Sequence, residues 1–221
     1  MTEAWSPLKP EDAGFVAIAR LDYIFFLEQM AEPPKVAFES RAELEKWLSD
    51  EFENYEVRPI LGGNNAVHVA VIDQRFTRLE QVWVKKSYRD YRRAMKYVAE
   101  EFHGLCDLSA LDADHVVART ILEGFSDSWI AIFPTYRSSN RGFGSIERKL
   151  PKARKGFGSI ELSPLAAFKI MNGRIPVSID DLNHALDDIK RQISSDNNNY
   201  LQDFIRSMYV DFSKYIEDRY S

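Results

Sequence analysis

The sequence predicts an α+β fold with a helical majority, on three observations. Apolar residues recur at helical spacing near both ends of the chain. Between them lie two short strand-like runs, Ala66 to Ile72, enriched in β-branched residues, and the apolar Trp129 to Phe133. Finally, 221 residues with 45% apolar and 13% aromatic side chains suffice for one sizeable hydrophobic core. The chain divides into an acidic helical region at 1–60, a β-hairpin with a basic helix at 61–104, a chemistry-bearing segment at 105–162, and a helical region at 163–221.

In chain order, Phe15, Ile18, Ala19, Leu21, Phe25, Phe26 and Met30 mark a helix from Glu11 to Met30, ended by Pro33-Pro34. Ser40 caps a second helix, Arg41 to Glu53, whose Leu44, Trp47, Leu48 and Phe52 form one stripe opposite a row of carboxylates. The turn Gly62-Gly63-Asn64-Asn65 leads into the strand Ala66 to Ile72, and Val82-Trp83-Val84 is positioned to pair with it. Tyr88 to His103 is helical, with Tyr91, Met95, Val98, Ala99 and Phe102 turned inward, and Gly104 stops it. Ser178, with Asp181 three residues later, opens a helix through Ile193, and Asn199 opens another through Arg219. After the apolar strand Trp129 to Phe133 a turn leads into Ser138 to Gly142.

Composition narrows the chemistry. No run of 18 uncharged apolar residues is present, which argues against a membrane span. The first ten residues lack the basic flank and apolar stretch of a secretory leader, and a cytoplasmic location is expected. One cysteine, Cys106, rules out an intramolecular disulfide and a cysteine-rich zinc site, so a metal would be held mainly by oxygen.

The net charge of −5 is unevenly spread. Residues 1–60 carry 13 acidic and 6 basic side chains, residues 61–160 carry 11 and 16, and residues 161–221 carry 10 and 7. Two basic clusters suit phosphate neutralisation: Lys85, Lys86, Arg89, Arg92, Arg93 and Lys96, then Arg137, Arg141, Arg148, Lys149, Lys152, Arg154 and Lys155. The acidic terminal helices are a candidate surface for a protein partner.

The segment 111–144 places Asp112-Ala113-Asp114-His115 at the end of a strand, an apolar strand from Trp129 to Phe133, and then Ser138-Ser139-Asn140-Arg141-Gly142. This arrangement resembles the HNH, or His-Me finger, nucleases, whose ββα-metal unit carries an Asp-His pair on its first strand and often an Asn-Arg-Gly near its helix. The match covers about 35 of 221 residues. The middle position of the family pattern, often Asn or His, falls here on Ser128 or Trp129.

The resemblance implies a ββα-metal core embedded in a mostly helical single domain, and a metal-dependent endonuclease. Its implied parts are His115 as general base, Asp114 and Asn140 as ligands of Mg²⁺ or Mn²⁺, and Asp112 as a supporting or substitute ligand. Arg119, Arg137 and Arg141 are candidate phosphate clamps, and DNA is the expected substrate, with a setting in anti-phage defence. Two alternatives remain open: an RNA-cleaving, toxin-type nuclease, and a non-catalytic module binding nucleic acid or protein. His68, His103 and His184 read as structural, and Cys106 as inert. The peptide Gly142-Phe-Gly-Ser-Ile-Glu147 recurs as Gly156 to Glu161, a second candidate phosphate contact with Phe143 or Phe157 available to stack on a base.

Overall fold

The computed structural model describes residues 10–72, 78–104, 108–147, 150–193 and 199–220. The first part comprises α1 (Pro10–Gln29), β1 (Lys35–Phe38), α2 (Arg41–Glu51), β2 (Tyr55–Pro59), β3 (Ala66–Ile72) and β4 (Arg78–Lys85). The middle comprises α3 (Tyr91–His103), β5 (Leu111–His115), β6 (Trp129–Tyr136), α4 (Arg137–Glu147) and β7 (Ser159–Glu161). The chain closes with α5 (Pro164–Asn172), α6 (Ile179–Gln192) and α7 (Asn199–Tyr220). The architecture is thus α+β, with seven helices and a curled sheet of seven strands among the described residues.

Local chemistry accounts for the helix starts. Ser40, Ser163 and Ser178 each hold an extended backbone and accept, on Oγ, the N–H of Glu43 at 3.3 Å, Ala166 at 3.2 Å and Asp181 at 3.1 Å. Each bond satisfies a donor that the first helical turn would leave unpaired. Gly104 ends α3 at φ 65, a left-handed conformation that costs glycine nothing.

The sheet is antiparallel throughout, in the order β2-β3-β4-β6-β1-β7, with β5 added to β6. Ile132 of β6 pairs with Val82 of β4 on one edge and His115 of β5 on the other. β5 therefore continues the edge that β1 begins opposite Trp129 and Ile130. This makes β6 the central strand, and Trp129 to Thr135 are all buried, as a strand flanked on both edges and covered on both faces must be.

One core runs through all four sequence regions. β1, from the first region, is wedged between β6 and β7 of the third, where Phe38 packs on Trp47 and Trp83 at centroid distances of 5.5 Å. At the other end Phe143 of α4, Phe168 of α5 and Phe212 of α7 form a fully buried aromatic cluster. No helix among the described residues is long and apolar enough to cross a membrane.

The departures from expectation lie where long-range pairing decides. β1, β2, β7 and α5 were unforeseen, and where a turn was expected to lead into Ser138 to Gly142, β6 runs to Tyr136 and α4 begins at Arg137. The two Gly-Phe-Gly-Ser-Ile-Glu copies adopt different structures. Gly142 to Glu147 is helical, whereas Gly156 and Gly158 take φ values of 73 and 65 before Ser159 to Glu161 forms β7.

Candidate functional site

β5 and β6 form an antiparallel pair and α4 follows β6 without a gap, giving a β-β-α succession over the segment that carries the Asp-His and Asn-Arg-Gly peptides. Along β5 the side chains alternate, so Asp112 and Asp114 share one face while Leu111, Ala113 and His115 project to the other. Asn140 and Glu147 lie two turns apart on α4 and share one stripe of that helix. Two acidic residues of β5 are thereby matched with two polar residues of α4.

At the outer position, Asn140 Nδ2 donates to Asp112 Oδ2 at 3.5 Å. Arg137 Nε stands 3.4 Å from the other oxygen of Asp112, and Arg92 Nη1 of α3 stands 4.0 Å from it. Asp112 is thus a partly exposed carboxylate among two guanidinium groups and an amide.

At the inner position a residue that the sequence did not single out takes charge. Lys169 of α5, 4% exposed, ion-pairs with Asp114 and donates to Glu147 Oε1 at 2.7 Å, with its ammonium also 5.7 Å from the Phe143 ring centre. Burial pushes the Asp114 carboxyl up to about 6, with Glu147 adding to the rise and Lys169 opposing it. Lys169 suffers the same burial, but the two carboxylates outweigh it and hold the ammonium above its ordinary value. One cation serving the buried Glu147 and the mostly buried Asp114 leaves the cluster short of positive charge.

His115 is placed elsewhere. It is 7% exposed, its ring meets Tyr91 of α3 edge-on at 4.5 Å, and its buried Nε2 has no hydrogen-bond partner among the described residues. Burial, then the charges of Arg119 and Lys169, push its pKa down to about 3. The expected convergence of His115, Asp114 and Asn140 on one metal ion therefore meets three geometric obstacles. Strand alternation turns His115 from Asp114, the ammonium of Lys169 occupies the position at Asp114 that a cation would take, and Asn140 reaches Asp112 instead. Among the described residues no group of three or more His, Cys, Asp or Glu side chains is arranged to hold a metal ion. The residues of the inner cluster, with the Lys169 ammonium already between the two carboxylates, do not fit a divalent cation.

The basic residues separate into groups with different tasks. Arg89, Arg92, Arg93 and Lys96 line a groove of about 510 Å³ between α3 and β5, beside Asp90 and Asp112. Arg137 reaches the same corner through Asp112. Lys85 pairs with Asp127 at 2.5 Å, Lys86 donates to the Leu122 carbonyl at 2.5 Å, and Lys152 pairs with Glu123, so these three brace the β5–β6 connection. Arg119, Arg141, Arg154 and Lys155 are exposed. Arg148, Lys149 and Cys106 lie outside the described residues. Phe143, expected as a stacking platform, is buried in the aromatic cluster, and Phe157 leans edge-on against Phe125 at 5.3 Å. Of the other histidines, His68 stacks on Phe102 at 4.1 Å, His103 stands 3.0 Å from the Glu80 carboxylate, and His184 is exposed.

Lys169 left one trace in the sequence. It is the only charged residue in Pro-Leu-Ala-Ala-Phe-Lys-Ile-Met-Asn, and an ammonium inside an apolar helix calls for buried carboxylates elsewhere in the chain. The chain matches no family model, no curated protein and no solved structure.

Proposed function

We propose that this protein binds nucleic acid, with the groove between α3 and β5 as its phosphate contact. The observation that carries this reading is the lining of that groove: four basic side chains against two acidic ones, in a chain whose net charge is −5. Arg92 and Lys96 lie one turn apart on α3, with Arg93 beside them and Arg89 just ahead of the helix, all four exposed. Guanidinium groups so arranged can each hold a phosphate by paired hydrogen bonds, and releasing the counterions of those phosphates drives binding. The apolar floor supplied by Met95, Leu111 and Pro134 gives a sugar or base edge something to rest on. DNA is the first expectation and RNA the alternative.

The test is fluorescence anisotropy with labelled single- and double-stranded DNA and RNA over a range of salt. The log of the affinity should fall linearly with log salt, with a slope near −0.9 for each phosphate neutralised on duplex DNA. The pair Arg92→Gln and Arg93→Gln should lower the magnitude of that slope by about two. No binding at low salt, or a slope unchanged in the double variant, would overturn the reading.

A second reading, phosphodiester hydrolysis with Mg²⁺ or Mn²⁺, draws on a different observation: the β5–β6–α4 succession and the 3.5 Å approach of Asn140 to Asp112 at the groove's edge. On this reading Asp112 and Asn140, rather than Asp114, carry the reaction. Supercoiled plasmid and total RNA, incubated with either metal or with EDTA, test it. Cutting by the wild type that needs the metal and is lost in Asp112→Asn supports it, whereas no cutting, or cutting by the variant at the wild-type rate, rejects it.

A further inference from the structure

A second cavity, of about 320 Å³, shares no lining residue with the basic groove and is bordered by Glu147, with walls of Val117, Ile121, Leu150, Phe157, Leu165 and Ala166. Its walls come from three parts of the chain: the β5–β6 connection, the segment between α4 and β7, and the first turn of α5. They are fixed by bonds independent of any ligand. The Ala153 N–H donates to the Ile121 carbonyl at 2.7 Å, the Leu150 N–H to the Glu147 carbonyl at 3.1 Å, and Phe125 holds Phe157 edge-on. A preformed, largely apolar cavity with a few polar groups is the usual form of a small-molecule site, and this volume lies at the lower end of the ~300–1,000 Å³ span.

The polar groups at its border decide which molecule fits. Glu161 is paired with Lys35 at 2.5 Å and Lys152 with Glu123, which leaves Glu147, among the described residues, as the lining carboxylate that shares its only cation with another carboxylate. Lys169 bonds Oε1 of Glu147 and also pairs with Asp114, so among the described residues two carboxylates share one ammonium. An anion brought here would meet this excess negative charge, and a neutral molecule would leave it uncompensated. A cation would balance it.

We propose that this cavity is a binding site for a primary amine carried on an apolar body, with the ammonium on Glu147 and the body among Val117, Ile121, Phe157 and Leu165. The raised carboxyl of Asp114 fits this assignment, because burial and the neighbouring Glu147 push it up in spite of Lys169. The site is separate from the basic groove, and its existence does not depend on nucleic-acid binding.

The probes are phenylpropylamine and two molecules of the same shape, phenylpropanol and phenylpropionate, titrated into the full chain and followed by methyl NMR. The amine should give saturable shifts at Val117, Ile121, Leu165 and Ala166 and bind about tenfold more tightly than the alcohol, as a charge-assisted hydrogen bond requires. The propionate should not saturate at concentrations that saturate the amine. Glu147→Gln should bring the ratio of amine to alcohol affinity to about one, and Ala166→Phe should fill the cavity and abolish binding of both. Equal affinity of the wild type for amine and alcohol, shifts scattered outside the cavity, or no saturation by the amine would each overturn the proposal. The wild-type ratio decides the matter even if Glu147→Gln fails to fold.

Discussion

The Lys169 ammonium donates to the Glu147 carboxylate at 2.7 Å, joining α5 to the end of α4 where less than a tenth of either residue is exposed. Through its second partner, Asp114, the same ammonium also ties both helices to β5. Replacing Lys169 with Met keeps the volume but leaves the buried Glu147 and the mostly buried Asp114 without a cation among the described residues. The expected loss at pH 7 is about 3–5 kcal/mol, the range for breaking a buried ion pair by removing one partner. Urea denaturation measures it. Adding Asp114→Asn and Glu147→Gln to Lys169→Met should recover more than half of the loss, because no buried charge then lacks a partner. A loss below about 1 kcal/mol in the single variant would mean that water reaches the cluster.

Asp22 supplies a cleaner pH experiment, since no lysine or arginine pairs with it among the described residues. Burial pushes its carboxyl from an ordinary 3.8 up to about 7, with the Glu80 N–H opposing at 3.2 Å, the Glu80 charge adding to the rise and His103 opposing it. Between these two values the folded chain holds a proton that the unfolded chain has released. The stability from protonated Asp22 is therefore fully present below pH 3.8 and is lost as pH rises through about 7. Asn at this position stays neutral at every pH. Asp22→Asn should match the wild type at pH 4 and exceed it by about 2–4 kcal/mol at pH 8, because each pH unit between the unfolded and folded values is worth about 1.36 kcal/mol. Equal stabilities at pH 8 would show that Asp22 ionises without cost.

His115 carries the opposite sign. Its folded pKa, about 3, lies below the ordinary 6.5, so the unfolded chain takes up a proton that the folded chain refuses. Stability from the neutral ring is full above pH 6.5 and is lost as pH falls through about 3. The His115 Cε1–H resonance should hold its position from pH 8 to pH 4, and His115→Phe should flatten the acid limb of the stability curve by about 3 kcal/mol. Were the chain to hydrolyse phosphodiesters with this ring as base, its rate would not inflect near pH 6.5. An inflection there would assign the base to another group.

How much of this was legible in the sequence varies with how local the cause is. Ser40 and Ser178 announced their helices because a cap acts within three residues. The run from Ala66 to Ile72 announced β3 because β-branched side chains favour a pleated, buried strand. β1 is only four residues long and is a strand because β6 and β7 flank it, a fact that no window around Lys35 contains. The site divides in the same way. The shared face of Asp112 and Asp114 follows from the period of a strand, and so does the turning away of His115, which the Asp-His motif by itself conceals. Lys169 stands 55 residues beyond Asp114 in sequence, and its role depends on the packing of α5 against α4 and β5.

The repeated peptide separates local preference from context most directly, because Gly144 and Gly158 are the same residue of the same hexapeptide. Gly144 lies within α4, where a Cβ would have nothing within 4 Å. Alanine there restricts the unfolded chain and suits the helix, a gain of about 0.5–1 kcal/mol. Gly158 sits at φ 65 just before β7, and its carbonyl accepts the Glu39 N–H at 2.9 Å. A Cβ would also find open space there, but the left-handed backbone costs an L side chain about 1–2 kcal/mol. Gly144→Ala should therefore raise the urea midpoint and Gly158→Ala lower it, two identical changes with opposite outcomes. If both moved the midpoint in the same direction, the two copies would share a conformation, and the assignment of one to α4 and the other to the approach of β7 would be wrong.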